Sequence, residues 1–283
     1  MALNRDARAR RLWVRQGSMQ SPDPRVDKLT RRYTNEACAY QELWAPVLRD
    51  LTLAVLRDLH AARRILDIGA GTGVVLHDLQ SAFPEAQIVA LDRAAGMLQL
   101  APRAFPRAVM DATRLAIAAE SVDLALLAFV LFHLPEPNDG VAEAHRVLRP
   151  GGGIATVTWG SDLDSPAIRI WEEEMNAHGA PAADETTDLA LHERVDTPEK
   201  MQSMLAAAGF VEIRSWSLRW ERAISADHLT RLRTRVGRHK GRIDRMDQPA
   251  RDACLHTVKR RLAALGPEDF IARAAIVYAM ATR

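Results

Sequence analysis

The chain has 283 residues, of which 48% are hydrophobic and 26% charged, enough for one large α/β domain. The formal net charge of +2 implies no polyanionic partner, and two distant cysteines, Cys38 and Cys254, argue against a disulfide framework or a cysteine-based metal site. No apolar run approaches the roughly 20 residues that cross a bilayer, so the sequence predicts a soluble, cytoplasmic protein.

The N-terminal part of the chain predicts a basic arm followed by a helical cap. Residues 1–27 are rich in arginine and are expected to form an arm or extension outside the fold. From 28 to 60 the pattern becomes helical, with Tyr33 and Tyr40 on one side of a first helix and a second helix after Pro46. We therefore expect a single domain over 28–283 that begins with this cap.

A strand, a tight turn and a helix are predicted around Arg64–Val74. The apolar run contains Asp67 and leads into glycines at 69, 71 and 73. Glycine allows bare backbone to approach a ligand, and the following helix start offers free N–H groups and a positive dipole end. The turn therefore suits an anionic or carboxylate-bearing, nucleotide-like ligand. It does not fit the dinucleotide-binding pattern, because Val74 stands where that pattern needs a third glycine.

After this turn, strands and helices alternate with short connections, which predicts a doubly wound parallel sheet. A ligand should then lie outside the carboxyl ends of its strands. Four further strands and two helices are expected here: strands 87–91, 108–110, 122–128 and 154–159, and helices 94–101 and 141–148.

Two of these strand ends carry an aspartate. Asp92 ends the second strand, where its carboxylate can accept both ribose hydroxyls or cap the helix that begins at Ala94. Asp111 follows the third strand, where it can accept an adenine amino group while the N–H of Ala112 donates to a ring nitrogen. The order of these features points to a nucleoside-like ligand at one sheet edge.

With these motifs in place, residues 33–222 resemble the class I S-adenosylmethionine (SAM) methyltransferases, and within them the branch of the ubiquinone/menaquinone-biosynthesis methylases. The matching pieces include the acidic residue two positions before the first glycine and the run Arg146–Gly152. The resemblance implies a Rossmann-like, seven-stranded sheet with an antiparallel last strand, and helical cap insertions at about 161–195 and 224–268. It also implies SAM as the cofactor and S-adenosylhomocysteine as the product.

The same resemblance implies a set of site residues. The acidic residue of the first motif is Asp67, and the glycine backbone should lie against the methionine part. Ribose should contact Asp92, adenine should contact Asp111 and Ala112, and Tyr40 should reach the pocket from the N-terminal helices. The full set of expected cofactor contacts is Tyr40, Asp67, Gly69, Gly71, Gly73, Asp92, Met97, Asp111, Ala112 and Phe129.

Beyond residue 160 the chain departs from simple alternation. The resemblance places its last strand antiparallel between the fifth and sixth. In chain order, we expect a helix over 165–178, a mobile lid or loop over 181–194, a helix from Thr197 to Gly209, a strand over 211–220, two more helices, and a final strand over 276–280.

The methyl acceptor is expected to be a small organic molecule, because motifs for base-amino, cytosine, catechol and arsenic methylation are missing, and the apolar side chains expected above the strand ends favour an apolar or aromatic one. His133, beyond the fourth strand, is a candidate general base. The segments above the strand ends supply the expected acceptor contacts Trp44, Phe132, Trp171, Met175, Leu189 and Leu191.

Two alternatives stay open. The arginines at 231, 235, 238, 242 and 245 recur at helical spacing, which predicts either a solvated helix face or, in an RNA methyltransferase, a phosphate-binding stripe. The other alternative is a SAM-fold subunit without turnover. Nucleic acid is the less favoured partner, no membrane or metal is expected, and a homodimer is among the states the sequence allows.

Overall fold

The computed structural model describes residues 23–56, 59, 62–182 and 191–283. Its centre is one seven-stranded sheet in the order β3-β2-β1-β4-β5-β7-β6, with β7 antiparallel to both of its neighbours. The predicted doubly wound sheet with an antiparallel last strand is therefore confirmed. The strands are β1 Arg64–Ile68, β2 Gln87–Asp92, β3 Arg107–Val109, β4 Val122–Ala128, β5 Leu148–Trp159, β6 Val211–Ala223 and β7 Ile271–Thr282.

Helices cover both faces of this sheet, and the central strands are therefore buried on both sides. Every residue of β4 before Ala128 is buried, as is β1 after Arg64. No helix in the described ranges is long and apolar enough to span a membrane. The helices are α1 Pro24–Leu43, α2 Ala45–Leu56, α3 Leu76–Ala82, α4 Ala95–Leu100, α5 Pro137–Val147, α6 Pro166–Ala177, α7 Pro198–Ala207, α8 Ala226–Arg235, α9 Gly237–Asp244 and α10 Gln248–Leu262.

The first helix begins at Pro24, so the predicted boundary at residue 28 is too late. Asp23 caps it by accepting the backbone N–H of Arg25 at 2.9 Å, and proline suits the first helical position because it lacks an N–H. Residues 1–22 lie outside the described part of the chain. The predicted helical cap is otherwise present as α1 and α2.

The C-terminal region contains three helices, α8, α9 and α10, where two were predicted. The chain turns between α8, which ends at Arg235, and α9, which begins at Gly237. The φ of Gly237 is 75°, a value that glycine adopts easily. The insertion before α7 contains α6 as expected, and residues 183–190 of the predicted lid lie outside the described residues.

The prediction that the arginines from 231 to 245 share one helical face is wrong. Their spacing is interrupted at Gly237 between α8 and α9. Arg231 pairs with Glu42 of α1, and Arg242 is buried against a glutamate of α6. These charges join neighbouring helices and do not form a continuous basic stripe.

Two predicted acceptor contacts belong to the core instead. Trp171 and Met175 on α6 are fully buried in a second hydrophobic cluster with residues of α8, α9 and α10. Helical periodicity identifies an apolar face but does not say whether that face meets a cavity or another helix.

The start of the central strands depends on one buried carboxylate. Asp123, 7% exposed, accepts the backbone N–H groups of Arg63 and Arg64 at 2.7 and 3.0 Å. Arg149 also approaches it, but that arginine side chain is 54% exposed. The backbone contacts should therefore matter more than the ion pair.

Asp123→Ala should lower the free energy of unfolding by about 3 kcal/mol, because two partly buried N–H groups lose their acceptor. The matched control Arg149→Ala should change it by less than about 1 kcal/mol, as for other exposed ion pairs. Urea denaturation of both variants provides the comparison. Equal effects would assign the stabilisation to the ion pair.

Candidate functional site

The three glycines after β1 have different surroundings. A Cβ on Gly69 would lie 2.7 Å from Val130, and one on Gly73 would lie 2.6 Å from Leu76, so both allow close packing. A Cβ on Gly71 would meet only the ring of Tyr40, at 4.0 Å. Gly71 is therefore the glycine that keeps space open beside the turn.

Asp92 contacts the glycine turn directly. Its Oδ2 accepts the N–H of Gly71 at 2.8 Å and its Oδ1 accepts that of Ala94 at 2.7 Å. The helix α4 begins one residue after Ala94 and has no side-chain cap, so Asp92 shapes the approach to the helix without capping it. Burial raises the pKa of Asp92, against the lowering effect of these backbone donors.

Asp111 lies at the end of β3 within a small polar network. Its Oδ1 accepts from the backbone and the hydroxyl of Thr113, at 2.9 and 2.8 Å. Its Oδ2 accepts from Arg93, which also donates to Asp27 of α1 at 3.0 Å. This network ties α1 to the strand ends and fixes the orientation of the Asp111 carboxylate.

Asp67 is buried inside β1, and its Oδ2 has no hydrogen-bond partner among the described residues. Burial, and then the charge of Asp92, raises the pKa of Asp67 to about 7. An unpartnered carboxylate of this kind costs free energy in the ligand-free protein. It would be stabilised by a cationic group placed beside it.

Most of the predicted cofactor residues surround one cavity of about 300 Å³, the glycine-turn cavity. Asp67 and Gly73 do not line it: the first is enclosed in β1 and the second packs on Leu76. Leu29 and Thr30 of α1 also line it and were not predicted. The predicted residues that line it are Tyr40, Gly69, Gly71, Asp92, Met97, Asp111, Ala112, Phe129 and His133.

A second cavity of about 220 Å³, the aromatic cavity, lies on the other side of a shared wall. Its apolar lining includes an aromatic row in which Trp159 lies 5.7 Å from the ring of Trp44 and 5.1 Å from that of Phe129. Phe132 also lines it, as predicted, whereas Leu189 lies outside the described residues. Leu191 is packed against α1 instead.

The wall common to both cavities consists of Tyr33, Tyr40, Phe129 and His133. The Tyr33 hydroxyl lies 2.8 Å from His133 Nε2 across 100 residues of sequence. Phe129 has a φ of 57°, a left-handed conformation that costs a non-glycine residue about 1–2 kcal/mol. Such conformations cluster at functional sites, where the surrounding structure holds them.

The aromatic cavity is also lined by charged and polar side chains that were not predicted to meet there. These side chains come from α1, from the segment after β5, from residue 192, and from α8 and α9. Only a three-dimensional structure shows that such distant segments meet. They are Arg32, Glu36, Asp162, His192, Arg233, Arg238 and His239.

Comparison with known proteins shows which family the chain is similar to. The methyltransferase domain model Methyltransf_11 matches residues 66–156. The malonyl-[acyl-carrier protein] O-methyltransferase of Methylococcus capsulatus is 34% identical over 157 residues, which is 53% of each chain. The ubiquinone/menaquinone biosynthesis C-methyltransferase of Dinoroseobacter shibae is 30% identical over 173 residues, 54% of this chain and 68% of that one.

The solved structures agree on the fold. Phosphoethanolamine N-methyltransferase 2 of Haemonchus contortus, in complex with S-adenosyl-L-methionine, superposes with a TM-score of 0.54 at 17% identity, over 94% of this chain and 60% of that one. The chain belongs to the class I SAM-dependent methyltransferases, which confirms the resemblance and the predicted cofactor. It spans about half the length of the first curated relatives that it matches.

The residues of the glycine-turn cavity fit this cofactor. SAM carries a positively charged ammonium group, and Asp67, which is enclosed in β1 two residues before Gly69, has a buried oxygen without a partner among the described residues. Gly71 leaves its side of the turn open, and two further carboxylates, Asp92 and Asp111, line the same cavity. Hydroxyls and an amino group are donors that such carboxylates accept.

The raised pKa of Asp67 predicts how the stability of the ligand-free protein depends on pH. The unfolded chain releases the Asp67 proton near pH 3.8, whereas the ligand-free folded chain holds it to about pH 7. The unfolded state therefore binds fewer protons between these values, and this group lowers stability as pH rises through that range. Asp67→Asn lacks this penalty.

The free energy of unfolding of Asp67→Asn minus that of the wild type should therefore be about 3 kcal/mol larger at pH 8 than at pH 5. Denaturation of both ligand-free proteins at the two pH values measures the change, and any constant cost of the asparagine cancels. Parallel pH profiles would mean that Asp67 is ionised in the folded protein.

Proposed function

We propose that this protein transfers the methyl group of SAM to a small organic acceptor that has an aromatic or apolar body. The observation that carries the proposal is the wall of Tyr33, Tyr40, Phe129 and His133 between the two cavities. Cofactor-motif residues line one side of this wall, and the aromatic cavity lies on the other. A methyl group can pass between two molecules only where their sites meet.

The lining of the aromatic cavity supports the acceptor class. Trp44, Phe132 and Trp159 offer ring faces that bury apolar surface and stack on aromatic groups. A cavity of about 220 Å³ suits a small molecule. One curated relative is named for malonyl-[acyl-carrier protein] and another for ubiquinone and menaquinone biosynthesis, so their names do not specify one acceptor.

Bound SAM would supply a methyl group that is carried on a positively charged sulfur. When an acceptor atom displaces this sulfur in line, the sulfur leaves as a neutral thioether. The protein's residues must align an acceptor atom with that methyl carbon and exclude water. As the new bond forms and the carbon–sulfur bond breaks, the acceptor atom becomes more acidic and gives up any proton that it carries. Phe129 and Tyr40 form the apolar part of the wall around this contact.

Tyr33 and His133 are the groups proposed to take that proton. In the tautomer that leaves His133 Nε2 without a proton, the Tyr33 hydroxyl donates to it across 2.8 Å. Tyr33 can accept the acceptor's proton while passing its own to His133. Histidine suits this role because its ordinary pKa lies near neutrality.

The two alternatives have less support. An RNA methyltransferase would need a continuous basic surface, and the arginines from 231 to 245 instead pair with carboxylates such as Glu42 and Glu172. A subunit without turnover would not need the second cavity or the pair formed by Tyr33 and His133. We expect neither RNA binding nor a purely structural role.

The first test is ligand binding. SAM and S-adenosylhomocysteine should raise the melting temperature, whereas NADH should not, because only ligands of the native state stabilise it. In calorimetry, Asp92→Ala should weaken S-adenosylhomocysteine binding by about 1–3 kcal/mol, and Asp78→Ala, on α3 outside the lining of both cavities, should leave it unchanged. Stabilisation by NADH alone would contradict the proposal.

The second test is turnover. Extracted small metabolites and total RNA are incubated separately with isotopically labelled SAM, and the label should enter a small molecule. With that acceptor, His133→Asn and Tyr33→Phe should lower the transfer rate by about 100-fold while cofactor affinity changes little. His145→Asn, a histidine on α5 that lines neither cavity, is the matched control. Unchanged rates in both variants would remove the pair from the mechanism.

A further inference from the structure

The aromatic cavity contains an arginine whose hydrogen bonds do not use its full capacity. Arg233 on α8 lines the cavity, and its recorded hydrogen bonds run from Nη1 to the ring of His239, the closer to Nδ1 at 2.7 Å. Its Nε is buried and has no hydrogen-bond partner among the residues that the structure describes. Among the described residues, no hydrogen bond from Nη2 is recorded either. The edge formed by Nε and Nη2 is the one with which guanidinium binds a carboxylate through two parallel hydrogen bonds.

The opposite side of the guanidinium is held in place by a chain of polar contacts. His239 donates from Nε2 to Glu172 on α6, which also accepts from Arg242 Nη1 at 2.9 Å. Arg242 in turn donates to Asn176 Oδ1 at 2.6 Å. Three helices therefore fix the orientation of Arg233, so little freedom is lost when a ligand binds it.

The groups that form these polar contacts leave the positive charge on Arg233 available to a ligand. Burial lowers the pKa of His239 to about 4, so at neutral pH its ring is uncharged and accepts from Arg233. Hydrogen bonding to His239 lowers the pKa of Glu172 to about 2, so this carboxylate is charged at neutral pH. Its negative charge is also paired with Arg242. Two other carboxylates line the cavity: Asp162 pairs with Arg238 at 4.0 Å, and Glu36 accepts the backbone N–H of Gly237 at 2.8 Å.

From this geometry we infer that the methyl acceptor carries a carboxylate and that Arg233 binds it. The inference rests on the proposed function, because it assigns a substrate class to the aromatic cavity. A bound carboxylate gives the buried Nε–H the acceptor it lacks and offsets the cost of an unpaired donor.

The position of Arg233 also indicates what the carboxylate does. Arg233 lines the aromatic cavity but not the glycine-turn cavity, whereas His133 lines both. A carboxylate held at Arg233 is therefore a handle, and the atom that receives the methyl group lies at another part of the acceptor. The acceptor is a small aromatic or apolar carboxylic acid with its nucleophilic atom away from the acid group.

The experiment compares acids with their primary amides in the presence of saturating S-adenosylhomocysteine. A panel that includes benzoate, phenylacetate, 3-(4-hydroxyphenyl)propanoate and indole-3-acetate is titrated by calorimetry beside the matching amides. The acids that bind should do so about tenfold or more tightly than their amides, since a hydrogen-bonded ion pair is lost in the amide. Arg233→Met should remove that preference and leave amide binding unchanged.

Two controls separate this inference from loss of folding and from the proposed function. Arg235→Met, on the same helix but paired with Glu42 and outside the lining of both cavities, should keep the preference. Arg233→Met should bind S-adenosylhomocysteine as the wild type does, which shows that it is folded. Failure of the wild type to bind that product would refute the proposed function itself.

The inference is overturned if no acid in the panel binds more tightly than its amide. It is also overturned if Arg233→Met retains the preference, or if the preference disappears in Arg238→Met instead. That last outcome would place the anion at the exposed end of the cavity.

Discussion

The close approach of Gly69 to Val130 is the constraint on which the site depends. Val130 follows β4, and its side chain occupies the volume that a Cβ on residue 69 would need. The N–H groups of Gly69 and Ala70 both donate to Leu91 O, at 2.8 and 2.9 Å, which joins the turn to β2. The ends of β1, β2 and β4 are thus held together by one turn, and the side chains that follow each strand meet there because of it.

This constraint also explains the unusual backbone at Phe129. The chain must leave β4 sharply for Val130 to reach Gly69, and the N–H of Phe129 still donates to Val157 O at 2.7 Å. The left-handed φ of Phe129 satisfies both requirements, and the ring then stands between the two cavities beside Trp159. Packing at the glycine turn and separation of the two cavities are therefore consequences of the same local geometry.

The parts of the site that could be predicted are those that follow from local pattern. Asp92, Asp111 and His133 each follow a recognisable strand, and parallel strands bring their carboxyl ends to one edge. The pocket role predicted for Trp171 was wrong, because a helix face packed on other helices has the same periodicity as one that faces a cavity. Arg233 was not among the predicted site residues, since its contact with His239 of α9, and through His239 with α6, depends on how three helices pack after a break at Gly237.

The buried charged groups that lack a partner among the described residues differ between the two sites: a carboxylate oxygen of Asp67 beside the glycine turn and the Nε of Arg233 in the aromatic cavity. The glycine turn is surrounded by carboxylates whose pKa values are raised by burial, so a cationic ligand relieves an existing cost there. The aromatic cavity instead holds Arg233, whose buried Nε–H has no acceptor in the described part of the chain and would be stabilised by an anionic ligand. This difference supports the proposed placement of the cofactor's ammonium group near the turn and of the acceptor's carboxylate at Arg233, on opposite sides of the wall formed by Tyr33, Tyr40, Phe129 and His133.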